Sequence, residues 1–219
     1  FLPYIHWSEL SMHLLLLALL SGAFIQISQA FYFKALSYSE AGIVSAYWNM
    51  IPAFLPIASY VLFSRVLGLS HYIGITILVC TSVVFCLIDS NFHTRWRAFF
   101  LMLIAAIIQV AVYLIEDHVF ENTPFFVGFI TITIGLIFTG LLPLLFGRGR
   151  RRILSNIIKL RKALFIFIGI EVANLLALAS AQQGIALGIP SLVAAAETTI
   201  PAYTFIISMF AYYFAPKFF

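Results

Sequence analysis

Charge is what this sequence has least of. Only 9% of its 219 residues are Asp, Glu, Lys or Arg, against about 25% in an average soluble domain. With 63% of the chain hydrophobic, a water-facing surface cannot be assembled, and no soluble fold competes. Cysteine is scarce as well. Cys80 and Cys86 stand six apart in one apolar run, which a helix converts to about 9 Å along its axis, too far for a disulfide. They read as packing residues. Catalytic signatures are missing: there is no His-Glu-x-x-His and no Gly-x-Ser-x-Gly. The five histidines (His6, His13, His71, His93, His118) stand near the ends of apolar runs or in connections. A membrane-embedded enzyme is therefore not expected, nor a bound metal or cofactor. The period-two alternation of a membrane β-barrel is also missing, since the apolar runs are continuous.

Those runs are of the length that crosses a hydrocarbon core, about 20 residues. Seven can be placed: Met12–Leu36, Ala41–Leu67, Tyr72–Ile88, Trp96–Leu114, Phe125–Phe146, Ala163–Leu187 and Leu192–Phe214. Without water to satisfy the backbone, continuous apolar runs must be helical. The fold class is thus all-α, a polytopic transmembrane bundle. Short connections make successive helices antiparallel neighbours. The chain begins at Phe1 and stops at Pro216-Lys217-Phe218-Phe219 as a helix ends, so a fragment lacking terminal helices is expected.

The formal charge of +4 does not indicate nucleic acid. Seven of the twelve basic residues fall between Arg148 and Lys162, in one connection. Arg95 and Arg97 lie on the same side, with Lys34 nearby, whereas the opposite side has Arg65, Lys217 and the acidic Glu116, Asp117 and Glu121. Lys and Arg mark the cytoplasmic face, so the basic connection belongs there, against anionic lipid head groups. The partner this implies is a lipid bilayer, with the plasma (bacterial inner) membrane as the expected location. Glu40, Glu116, Asp117 and Glu121 are expected to be solvated span ends.

A repeat is present at an offset of 149 residues. Ile51-Pro52-Ala53 recurs as Ile200-Pro201-Ala202, and Val44, Ala46, Ile57 and Ser59 recur as Val193, Ala195, Ile206 and Ser208. Ala30 likewise recurs as Ala179. The copies occupy the second and seventh runs, five crossings apart. An odd number of crossings reverses direction, so the copies would point opposite ways through the membrane. Inverted repeats of this kind are a plan of secondary transporters, with the solute site near the midplane between the copies. Pro52 and Pro201, each in mid-run, would free a carbonyl one turn earlier. They are either part of such a site or kinks filled by neighbouring helices.

The stretch Ala35-Leu36-Ser37-Tyr38-Ser39-Glu40-Ala41, leading into a run with central Pro52 and then a helix with Gly74, resembles the drug/metabolite transporter superfamily of EamA type. Gln183-Gly184-Ile185-Ala186 through Pro201 looks like the corresponding part of the other half. The resemblance implies ten helices in two inverted five-helix repeats, of which this chain would hold the third to ninth. Residues 1–90 would then belong to the first repeat, with three helices, and 91–219 to the second, with four. Two departures stand out: the family's Gly-Glu pair is Ser64-Arg65 here, and its Glu before the second proline is Ile200, with Glu197 one turn earlier. The family's usual cytoplasmic N-terminus would also put the basic connection outside, opposite to the charge distribution.

Ionisable groups inside a bilayer are costly and mark function by default. Glu171 lies well inside its run, with Asn174 and Gln182 on the same helix. Glu197, Thr198 and Pro201 share a face, and Trp48, Asn49 and Pro52 repeat that spacing in the other copy. Gln26 and Gln29 form a smaller polar face on the first run. The resemblance implies that these four helices line a central cavity. Solute-binding candidates are accordingly Gln26, Gln29, Trp48, Asn49, Asn174, Gln182, Thr198 and Tyr203. Glu171 and Glu197 are the candidate proton-coupling carboxylates. The amides serve equally well as interhelical hydrogen bonds, and Trp48 and Tyr203 as packing. The expected function is a secondary active permease or exporter moving a small organic solute by alternating access, with proton coupling. A seven-helix receptor or a non-catalytic membrane subunit is the alternative. A retinal protein is disfavoured because its lysine belongs in mid-helix, and Lys217 is near the end of the last run.

Overall fold

A computed structural model describes residues 11–39, 41–64, 68–88, 92–147, 150–151, 164–188, 190–197, 199, 210 and 213. Every extended regular element among them is an α-helix: α1 (Met12–Leu36), α2 (Ala41–Trp48), α3 (Ile51–Phe63), α4 (Leu69–Ile88), α5 (Phe92–Asn122), α6 (Phe125–Leu145), α7 (Leu164–Leu187) and α8 (Pro190–Glu197). Four stretches are long and apolar enough to cross a membrane: α1, residues 96–122 of α5, α6 and α7.

The burial pattern of α1 is that of a helix in lipid. Its covered face is Ala18, Ser21, Gly22, Ile25 and Ser28 at helical spacing, all but Ile25 small or polar, while Leu16, Leu20 and Ile27 face outward. Soluble helices do the reverse. On α7 every residue from 164 to 177 is exposed, including Phe165 at 88%. So large an apolar exterior is untenable in water. The chain is a helical membrane protein.

The second run is not one helix, and the reason is Pro52. Without an N–H, Pro52 leaves the Trp48 carbonyl without its helical donor. The chain closes α2 with a tighter turn, in which Met50 N–H donates to Tyr47 O at 3.1 Å. Helix α3 then starts afresh at Ile51, with Pro52 in its first turn, where no intrahelical donor is required. Ile51, Pro52, Leu55 and Pro56 form its buried face. At its far end Ser64 takes up a left-handed conformation, φ 54° and ψ 24°. Glycine is the residue that tolerates such a φ without strain.

The break recurs. Helix α8 runs from Pro190 to Glu197, eight residues like α2, and both of its ends lie 149 residues beyond those of α2. It is closed in the same way, with Thr199 N–H donating to Ala196 O at 3.1 Å. Pro201 and the rest of the seventh run lie outside the described residues, apart from residues 210 and 213.

The helices group into two compact units. One comprises residues 1–27 and 111–188, the other 28–110 and 189–219. They interleave along the chain. In the first unit α1 and α6 approach backbone to backbone at Gly22 and Gly135, and α6 packs on α7. In the second, α4 packs on α2, α3 and α8, and α3 on α8. A cluster of Ala35, Val44, Tyr47, Ala98 and Met102 forms its core.

Candidate functional site

Two polar constellations emerge, one in each unit. That of the first unit centres on Glu116, which was expected to be a solvated span end. The expectation fails because α5 does not stop near Leu114. It continues two further turns to Asn122, carrying Glu116 and Asp117 into the bundle with only 3% and 6% of their surfaces exposed. Glu121 alone of this acidic group is exposed, and Glu40 lies outside the described residues.

Three helices meet at the Glu116 carboxylate. From α1, the Ser21 hydroxyl donates to Glu116 Oε1 at 3.3 Å. From α7, Gln182 Nε2 donates to the same oxygen at 2.6 Å. Ser21 and Gln182 are themselves buried, at 0% and 1% exposure. Hydrogen bonds to an ionised group contribute about 1.5–3 kcal/mol each, enough to fix α7 against α5. The other end of the Gln182 amide is unserved: Oε1 is buried and has no hydrogen-bond partner among the described residues. An unmade buried bond is costly, so this oxygen is conspicuous.

The constellation of the second unit lies around the break between α2 and α3. Trp48, the last residue of α2, meets Tyr32 edge to face at 5.6 Å, and the Tyr32 hydroxyl is 3.4 Å from Ser45 Oγ. Asn49 occupies the turn itself, half-buried. Ser28 donates to Gln109 Oε1 at 2.9 Å. Lys34 Nζ and the Arg97 guanidinium both lie over the Tyr38 ring, at 5.3 and 5.9 Å. These cation–π contacts gather two basic residues on one ring.

The remaining sequence candidates divide as follows. Gln26 is half-buried, with its amide close to Gly140 of α6. Gln29 is half-buried on α1 in the second unit. Glu197 ends α8, half-buried, at the second closing turn. Glu171 and Asn174 are exposed on α7, three and two turns before Gln182. Thr198, Pro201 and Tyr203 lie outside the described residues. Among the described candidates, only Gln182 is shown on a buried carboxylate.

Glu116 was missed because acidic residues at the end of an apolar run look like a boundary. A signal was available. Gln109, Tyr113, Glu116 and Phe120 recur at helical spacing through that boundary, which is the period of a covered stripe. Ser21 and Ser28 are likewise seven apart, as are Glu116 and Gln109. No group of three His, Cys, Asp or Glu able to hold a metal occurs among the described residues. No family profile, no curated protein and no solved structure matches the chain.

Proposed function

We propose that this chain is a secondary active transporter, a permease or exporter of a small organic solute that works by alternating access. The observation that carries this reading is the duplicated helix-closing turn. Met50 to Tyr47 and Thr199 to Ala196 close two eight-residue helices at one offset of 149 residues, and α3, which follows the first break, packs on α8. Interrupted helices in corresponding positions of two repeats are where transporters bind solute, because unwound backbone offers polar groups at membrane depth. Trp48 and Asn49 at the first break, with Glu197, Thr198 and Tyr203 at or after the second, are the contacts this reading assigns. The EamA resemblance, with inverted five-helix repeats, fits the same plan.

In this reading Glu197 is a proton carrier, since a carboxylate that binds a proton on one side and releases it on the other couples solute to a gradient. Glu171, exposed on α7, serves likewise if further helices cover that face. A receptor or a non-catalytic subunit has no need of a second copy of the break.

The test is accessibility at residue 49. In a Cys80→Ser, Cys86→Ser background, Asn49→Cys should react with an impermeant maleimide from either face of sealed vesicles. Modification from one face should block the other. Reaction from one face only would overturn alternating access at this break.

A further inference from the structure

We infer that Glu116, Gln182 and Ser21 form a proton-binding switch, in which Gln182 presents its amide nitrogen to the charged carboxylate and its amide oxygen to the protonated one. In the arrangement observed, Nε2 and the Ser21 hydroxyl both donate to Glu116 Oε1, which suits an ionised carboxylate. It also strands the buried Oε1 of Gln182. That oxygen is the acceptor a carboxylic acid would require. When a proton from water bonds to the Glu116 carboxylate, the group becomes a neutral acid with an O–H to donate. A half-turn of the amide about Cγ–Cδ brings Gln182 Oε1 to receive it and withdraws Nε2, and water keeps the hydroxide or loses the hydronium charge. Ser21 serves both states because a hydroxyl both donates and accepts. Ser21 and Gln182 are thus both of the kind that can follow a change of charge.

The surroundings contain other titratable groups. On α5 these are Tyr113 and Asp117, both buried, half-buried His118 and exposed Glu121; α1 brings exposed His13 and α7 exposed Glu171. Helix α6 has none, and the described arginines of this unit, Arg150 and Arg151, are exposed. Asp117, adjacent and buried, is the one that requires a control.

If the chain is a transporter, this site would couple its cycle to protons, but the inference concerns proton binding and is tested without a solute. The probe is the proton itself, read by infrared difference spectra of the full chain in lipid as pH is lowered. A carboxylic C=O band should rise together with a change in a glutamine side-chain amide band. Glu116→Gln should remove the carboxylic band, and Asp117→Asn should leave it. Gln182→Met should leave the band but shift it upward in frequency, as its acceptor is lost; this keeps the test decisive if Glu116→Gln does not fold. Absence of a titrating band, its survival in Glu116→Gln, or an amide band that stays fixed while the carboxyl titrates would each overturn the switch. None of these outcomes bears on labelling at residue 49, so the two readings fail separately.

Discussion

Gly22 of α1 lies against Gly135 of α6 with no space for a side chain on either. A methyl on Gly22 would stand 3.0 Å from the Gly135 carbonyl carbon and closer still to Ile132 O, and one on Gly135 would strike Leu19 O. Obstructing atoms that belong to a helix backbone cannot swing aside. Association of helices in lipid depends on such close approach, because burial of apolar surface supplies no drive there.

Gly22→Ala and Gly135→Ala should each therefore force α1 and α6 apart, at a cost of about 1–3 kcal/mol. Gly140→Ala is the control. Its methyl would meet only the Gln26 side chain, at an ordinary 3.6 Å. Thermal unfolding in detergent should show lower midpoints for the first two and no change for the third.

Pro52→Ala restores the N–H that the Trp48 carbonyl lacks. Helices α2 and α3 should then join through Asn49 and Met50, since proline in a helix interior costs about 3 kcal/mol and its removal lifts that penalty. Hydrogen exchange should slow for amides 50–53, while dual-face labelling at residue 49 is lost. Unchanged exchange would show that tertiary packing, not proline, holds the break open.

Ser64→Gly should stabilise the protein by up to about 1 kcal/mol. A side chain in the left-handed region carries roughly that strain, partly offset by the greater freedom of glycine in the unfolded chain. The readout is the denaturation midpoint of the otherwise unaltered chain.

Charge and crossing number set the expected topology. Cysteines at Ser39 and Ser155 should label from the cytoplasmic face, and those at Asn122 and Gly188 from the other. Ser39 and Gly188 are one repeat apart, so opposite labelling at these two also tests the inversion. Labelling of Ser155 from outside would show that the orientation usual in the EamA family prevails over the positive-inside rule.

Helical class and membrane residence follow from local properties, the length and polarity of each run, and the sequence alone determined them. It also located Pro52, where α2 gives way to α3, although Pro56 and Pro143 lie inside α3 and α6. Helix α1 spans Met12–Leu36 as expected, from the length of its apolar run. Burial was another matter. Glu116 stands at the end of an apolar run and Glu171 well inside one, yet the first is enclosed by Ser21 and Gln182 and the second is exposed. Which of them finds a partner depends on helices 66 and 95 residues away along the chain. No periodicity encodes that; only the packing of α1, α5 and α7 decided it.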